Sequence, residues 1–453
     1  MLIATNPYTE SKIAEYPSLK GSQIHEHIQL AHDAFPAWRD QPFSERAKIL
    51  KDIAAELRKQ KDHLALLMAD EMGKPIKEGG PEVEKAATCF EHYADKGESY
   101  LDTEYLESDA SESYVSYEPL GALLGILPWN APLWLAARYL APALMAGNTC
   151  TLKHDPHVPG CAQAIIDVIS GAGAPENIVV NLPLETPDVE AAIRDPHIMA
   201  VSFTGSAGGG AKVASMAASE IKHSVLELGG SDPFIVMSDA DLEKAMDVAT
   251  LSRIINAGQS CIAAKRILVE KSVYEQFVEG VKSRLEKLKM GDPTDINTDI
   301  GPIARKDLQE NLHRQVQESI KQGATCLLGG EMPKDKGYFY PPTLLTDVKP
   351  GTCAFLEETF GPVMAITPVA DIEEAITLAN DTEYGLGAAL WMKDQAKAKL
   401  IAKRLYTGQV SINGIVKTDP RLPSGGVKRS GFGRELGPHG IKEFVNAKQV
   451  WVK

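Results

Sequence analysis

The chain has 453 residues, 44% of them hydrophobic and 24% charged, with a formal net charge of −14. That length exceeds what one growing core serves and predicts two or three domains, while the acidic balance excludes the basic face of a nucleic-acid binder. The six cysteines (Cys89, Cys150, Cys161, Cys261, Cys326, Cys353) form no C-x-x-C pair and no His/Cys cluster of zinc spacing, so neither a disulfide scaffold nor a metal site is expected, and a reducing, cytoplasmic setting fits.

The opening MLIATNPYTESKIAEYP has no basic segment ahead of an apolar core and does not read as a signal peptide. Residues 23–110 read as helical. In AKILKDIAAELRKQ, Leu50, Ile53, Ala54 and Leu57 fall at i, i+3, i+4 and i+7, one face of a helix. From about residue 121 short apolar runs alternate with helical stretches: GALLGIL, WLAARYLAPALMAG, NTCTLK, CAQAIIDVISGAG, NIVVNL, MAVSFTG, HSVLELGG and DPFIVM. This alternation predicts an α/β fold, a parallel sheet with crossover helices. The longest apolar stretch is interrupted by prolines and by Arg138, so it does not read as a membrane span. A second round (RILVE, VYEQFVEGVKSRLEKLKMG, PPTLLTDV, VMAITPV, IEEAITLAND, GAALWMK, QVSING) predicts a second α/β domain. The tail KEFVNAKQVWVK alternates as a strand, either a local edge strand or one that pairs on another subunit.

Several short motifs carry chemistry. NAGQSCIAAKR, residues 256–266, sets Cys261 behind Gly258, Gln259 and Ser260 with two alanines and two basic residues following; the thiol is either a packed one or a reactive one, which needs room, backbone N–H groups and positive potential. FTGSAGGG, residues 203–210, is a glycine-rich turn after a strand, suited to phosphate at a helix N-terminus. It is not G-x-G-x-x-G, because Ala207 takes the second glycine position, and it is not a P-loop. Glu227 in ELGGSDP is either a helix-start charge or a base in a cleft. Asn130 in PWNAP is either a turn residue or an amide donor to a developing oxyanion. EETFGPV, residues 357–363, read alone is a solvated turn.

The ordered set of PWN, Lys153 in TLK, FTGS, ELGG, GQSC, EE-x-FGPV and GGVKRSGFGRE resembles the aldehyde dehydrogenase superfamily, from about residue 5 to the C-terminus. The resemblance implies two Rossmann-like α/β domains with a small oligomerisation β-extension: a cofactor-binding domain over 1–103 and 120–229, a catalytic domain over 230–430, and an oligomerisation segment over 104–119 and 431–453. It implies a homodimer or homotetramer, a small-molecule aldehyde as substrate, and no nucleic-acid or membrane partner. Cys261 matches the nucleophile, Asn130 the oxyanion donor and Glu227 the general base. Ile126, Trp129, Lys153, Gly205, Ser206, Glu358 and Phe360 match cofactor-binding positions. NAD-preferring relatives commonly carry a glutamate three residues after the lysine. Here Pro156 stands there, so NADP is expected alongside NAD, with neighbouring Asp155 opposing it in part.

Arg138, eight residues after Asn130, is either a snorkelling or ion-paired arginine or the anchor for the far carboxylate of a semialdehyde. The wording GQSCIAAKR and KHDPHVPGCA is similar to bacterial succinate-semialdehyde dehydrogenases, which makes that substrate the leading expectation. A second arginine that some of these enzymes carry corresponds to Ile255, leaving Arg253, Lys417 or Arg421 as stand-ins. The redox-switch cysteine of some relatives corresponds to Ala263, so that disulfide is excluded. Two other readings remain at this stage: a dehydrogenase of uncharged medium-chain or aromatic aldehydes, and a non-catalytic cofactor-binding or structural protein on the same fold.

Overall fold

The structure is a computed structural model that describes residues 1–453. The helical expectation for 23–110 holds through four helices, Ser22–Arg39, Phe43–Lys59, Lys61–Met72 and Ile76–Tyr100. It fails over residues 104–110, where Glu104–Tyr105 is a short strand; Glu112–Pro119, beyond that range, is a strand as well. The sequence ESYVSYEP is rich in aromatic and β-branched residues, which suit a pleated surface. Leu50, Ile53, Ala54 and Leu57 are buried as one face of Phe43–Lys59.

Two mostly parallel sheets follow. The first has six strands in the order Gly431–Phe432, His223–Glu227, Ile198–Thr204, Ala122–Leu127, Thr149–His154, Val179–Asn181. All pairings are parallel except that of Gly431–Phe432, which runs antiparallel on His223–Glu227. The chain winds outward from Ala122–Leu127 to Val179–Asn181, then returns to the other side at Ile198–Thr204. The order therefore reverses beside Ala122–Leu127, and a ligand crevice opens at the carboxyl ends of strands at such a point. The second sheet has seven strands drawn from residues 232–412, with Ala264–Glu270 and Asp232–Val236 near its middle. The chain passes between the sheets through Leu228–Ser231, directly after Glu227.

The C-terminal strand Val445–Val452 pairs antiparallel with Glu112–Pro119 of the same chain, so the tail is locally paired, at the edge of a three-stranded sheet. Its partner leads into Ala122–Leu127, and Asn148 locks that junction. The Asn148 Oδ1 accepts from the backbone N–H of Leu120 at 2.8 Å and of Gly121 at 3.1 Å, and its Nδ2 donates to the Phe444 carbonyl at 2.9 Å. Asn148 is fully buried, so none of these groups reaches water if the side chain is removed. Asn148→Ala is expected to destabilise the fold by about 3 kcal/mol, read as a lower urea midpoint, with Asn148→Asp intermediate because the acceptor oxygen survives.

Candidate active site

Strand register assembles the crevice. Ile126 lies opposite Lys153 on one side and Phe203 on the other, and Thr204 lies opposite Glu227. The carboxyl ends of four neighbouring strands thus bring Ile126, Lys153, the Gly205–Ser206 turn and Glu227 to one edge. Trp129 and Asn130 follow in the turn before helix Pro132–Ala146, which starts with proline at its first turn and stops at left-handed Gly147. Two buried side chains hold this turn from the long helix Ile76–Tyr100 and the loop before it. Glu82 accepts from the N–H groups of Leu133 and Trp134 at 3.0 and 3.1 Å, supplying the cap the helix lacks locally. Lys74 pairs with Glu82 and donates to the Asn130 carbonyl at 3.1 Å.

The loop that leads to Cys261 is wound through an unusual backbone. Asn256 and Ala257 are both left-handed, at φ 54° and 53°. Such strain persists only where the surroundings over-determine it, and they do. The Asn256 N–H donates to Glu78 at 2.8 Å, and its side-chain amide donates to the carbonyls of Asn130 at 2.8 Å and Gln259 at 3.2 Å. Fully buried Arg253 donates to the carbonyls of Ala264, Gly258, Thr359 and Gly361, pinning this loop to the 358–361 segment. Gly258 sits at φ 74°, and a Cβ there would overlap the Gly361 backbone. Arg253 is therefore a structural cation, not a stand-in substrate contact. Arg421 pairs with Asp419 through two contacts of 2.8 and 2.6 Å, and Lys417 is exposed.

Cys261 emerges half-buried at the end of this loop. Burial pushes its thiol up to about 11, against the opposing pull of the Lys265 and Arg138 charges. Asn130 Nδ2 donates to the Gln259 carbonyl at 3.1 Å, which aims the amide at the Cys261 loop and leaves its second N–H free. The other five cysteines show no disulfide; Cys150 is fully buried within its strand, and Cys89, Cys161 and Cys353 are buried too.

Glu227 is buried, and burial pushes its carboxyl up to about 7, with Arg138 opposing and Glu435 reinforcing. Arg138 does not stand open as a carboxylate anchor. Its guanidinium is 3% exposed and lies 3.3 Å from Glu227 Oε2 and 2.5 Å from Glu435 Oε2. Helix Pro132–Ala146 turns position 138 inward beside Glu227, so the charge is spent on two carboxylates of the protein. Of the two readings of Arg138, the ion-paired one describes this geometry, and its effect is to hold Glu227. Four polar atoms of this trio, Arg138 Nε and Nη2, Glu227 Oε1 and Glu435 Oε2, are buried without an aligned hydrogen bond.

On the coenzyme side, Lys153 is buried with no carboxylate in contact, and burial lowers its pKa. Ser206 caps helix Ala207–Ser219, accepting from Gly209 N–H at 3.2 Å, and no acidic residue stands in the first turn. Glu358 accepts from Gly230 N–H at 3.1 Å and pairs with Lys265 Nζ at 3.0 Å. It can do so because residue 229 is glycine: a Cβ there would collide with the carboxylate. Phe360 stands edge-on to Trp129, ring centroids 5.8 Å apart. A buried unpaired lysine, a helix start among small residues with no acidic side chain in its first turn and a carboxylate in a glycine cradle fit a nicotinamide dinucleotide. Pro156 lies half-buried in the turn after Lys153.

Sequence reasoning passed over Glu82, Lys74, Asn256, Lys265 and Glu435. Glu435 stood inside a quoted motif, and Lys265 four residues after Cys261, but what each one touches is set by segments remote in sequence.

The likeness to known proteins runs along the whole chain. A sequence profile of the aldehyde dehydrogenase family matches residues 2–450. A protein of Synechocystis sp. named probable succinate-semialdehyde dehydrogenase (NADP(+)) is 46% identical over 453 residues, covering all of both chains. A succinate semialdehyde dehydrogenase (NAD(P)+) of Escherichia coli strain K12 is 43% identical over 449 residues, 99% of this chain and 97% of that one. The crystal structure of a succinic semialdehyde dehydrogenase from Streptococcus pyogenes in complex with NADP+ matches with a TM-score of 0.97 at 33% identity, covering 100% of each chain. Because both the profile match and the fold match extend essentially from end to end, the chain belongs to the aldehyde dehydrogenase family, whose members oxidise aldehydes.

Proposed function

We propose that the protein oxidises succinate semialdehyde to succinate with NADP as preferred coenzyme, through Cys261 as nucleophile. The observation that carries the chemistry is the convergence of Cys261, Asn130 and Glu227 at the carboxyl edge of the first sheet. The names of the two relatives support the substrate.

The Cys261 sulfur adds to the aldehyde carbon, and its proton passes to the Glu227 carboxylate, whose charge acts on the thiol. The free N–H of Asn130 and the Cys261 backbone N–H hold the oxyanion of the thiohemiacetal. The bound coenzyme supplies the hydride acceptor. Lys153 and the start of Ala207–Ser219 would hold its phosphates and ribose, and Glu358 a ribose hydroxyl. Glu227 gives that proton up to solvent and then takes one from water; the resulting hydroxide adds to the thioester carbon, the C–S bond breaks, the departing sulfur takes the proton from Glu227 to restore the thiol, and the product leaves as the carboxylate with its own proton going to solvent. Arg138 and Glu435 keep Glu227 in place for both transfers. The three-stranded sheet, with Tyr105 and Trp451 exposed, is the surface we assign to homo-oligomer contacts.

Initial rates with succinate semialdehyde and with butanal test the substrate. A strong preference for the semialdehyde is expected, and equal use of butanal would leave only the aldehyde dehydrogenase class. Cys261→Ala is expected to lose activity by about a thousandfold or more, and Glu227→Gln by about a hundredfold. Because Glu227 works as a base and titrates near 7, the rate of thioester hydrolysis rises as pH passes upward through about 7. That inflection is absent in Glu227→Gln, as single-turnover kinetics across pH 5.5–8.5 would read. For the coenzyme, Pro156→Glu is expected to weaken NADP binding about tenfold, the effect of ~1.4 kcal/mol of charge repulsion, with NAD binding little changed. Quenching of tryptophan fluorescence measures both without turnover.

A further inference from the structure

At the end of the first sheet away from the crevice, two segments remote in sequence bring imidazoles onto one carboxylate. Helix Ser22–Arg39 contributes His25 and, two turns on, His32. The turn after helix Val189–Arg194 contributes Asp195 and His197, just before strand Ile198–Thr204. That strand has seven residues, so the cluster stands roughly 20 Å from the Gly205–Ser206 turn. Asp195 is 7% exposed, and its carboxylate is held in place. Its Oδ1 accepts from the His197 N–H at 2.9 Å, and its Oδ2 lies 2.7 Å from His25 Nδ1. The turn is braced from behind: the Asp195 carbonyl accepts from the Ile198 N–H at 3.1 Å and from Lys222 Nζ, which also reaches the Ile193 carbonyl at 2.7 Å. His32 stacks on the His197 ring, with centroids 4.1 Å and planes 18° apart, and so fixes the plane of that imidazole.

One atom of this group has no partner. His197 Nδ1 is buried from water and makes no hydrogen bond, and Asp195 Oδ1 stands 3.7 Å from it. That distance is too long for a hydrogen bond. It is close to the span of two donors on one metal ion, because bonds of ~2.0–2.2 Å at a tetrahedral angle set neighbouring ligand atoms roughly 3.3 Å apart. The ligand atoms of His25, Asp195 and His197 all lie within 4.8 Å of one another. The His25 side chain is 53% exposed, so its ring is free to swing by the fraction of an ångström that admits an ion between Nδ1 and Asp195 Oδ2. No lysine or arginine pairs with the Asp195 carboxylate, and the Lys222 charge is spent on backbone carbonyls. We propose that His25, His197 and Asp195 bind a divalent transition metal of the zinc type, with water as fourth ligand. Two imidazoles and one carboxylate suit that class, whereas magnesium and calcium take oxygen donors. The ion would tie helix Ser22–Arg39 to the turn that feeds the strand ending at the Gly205–Ser206 turn. No spacing in the sequence reveals the site, because His25 and Asp195 are 170 residues apart.

Calorimetric titration of zinc(II) into the full-length, tag-free, chelator-treated chain tests this, in a Cys261→Ala background so that the Cys261 thiol is no rival ligand. One equivalent per chain is expected to bind. His25→Ala and His197→Ala, each added to that background, are expected to weaken binding about a hundredfold, no less than the loss of an outer-shell partner does at metal sites. The melting temperature is expected to rise with zinc(II) and to lose that rise in both variants. Cobalt(II) in place of zinc(II) is expected to give visible absorption bands without sulfur-to-metal charge transfer, the mark of nitrogen and oxygen ligands. The inference is overturned if no stoichiometric zinc site appears, if the site keeps full affinity in either histidine variant, or if sulfur charge transfer accompanies cobalt. His25 is on the exposed side of its helix, so should His197→Ala fail to fold, His25→Ala decides alone. Initial rates of His25→Ala with succinate semialdehyde, Cys261 being intact, are expected to match wild type, so the reading of the activity stands or falls separately.

Discussion

The buried contact of Arg138 with Glu227 and Glu435 is the constraint on which the site depends. It joins three parts of the chain that share no local structure: helix Pro132–Ala146, the last residue of the strand His223–Glu227, and the segment after Gly431–Phe432. One cation between two carboxylates leaves a formal surplus of negative charge in a medium that solvates it poorly. That surplus and the burial raise Glu227 toward neutrality. Replacing the trio with apolar residues would often be neutral or favourable for stability, whereas deleting the arginine alone would strand two buried carboxylates. The trio is therefore better understood as a device that sets the base's position and its proton affinity than as a source of stability.

The nucleophile is held by a different means. Its loop bends through two left-handed residues, one of them an alanine, and the backbone carbonyls thrown off by that bend are collected by Arg253. The same guanidinium reaches the backbone around Glu358, while Lys265 joins the Cys261 carbonyl at 2.6 Å to the Glu358 side chain. Two buried cations thus bridge the thiol loop and the carboxylate that faces the coenzyme. A shift in one segment is transmitted to the other through short polar contacts rather than through loose packing.

Much of this was legible in the sequence because the relevant information is local. Apolar periodicity gave the strand–helix alternation, and the short runs PWN, ELGG and GQSC each carry a reactive group at a strand end or turn. The Val445–Val452 strand was legible as alternation, although its partner was not. Residues 104–110 were misread because the helical reading was extended past Leu101 into a segment that opens a strand at Glu104–Tyr105. Arg138 shows the deeper limit. Its spacing from Asn130 placed it near the site correctly, but whether its charge meets a ligand or Glu435, almost three hundred residues away, is decided by the tertiary fold.

The same reasoning bears on coenzyme choice. With Pro156 where a repelling carboxylate would stand, Asp155 is the remaining acid in the turn. Its Oδ1 lies 3.0 Å from the His157 N–H and 2.6 Å from His157 Nδ1, and these contacts hold it below the usual carboxylate range although burial alone would push it up. Asp155 is thus ionised but already answered by His157, and the Arg305 charge acts on it too. Lys153, one strand-end away, is buried with no such partner. A phosphate entering between them meets an acid whose field is largely compensated and a lysine whose field is not. The NADP reading proposed above therefore draws on the pairing of Asp155 with His157 as much as on the missing glutamate.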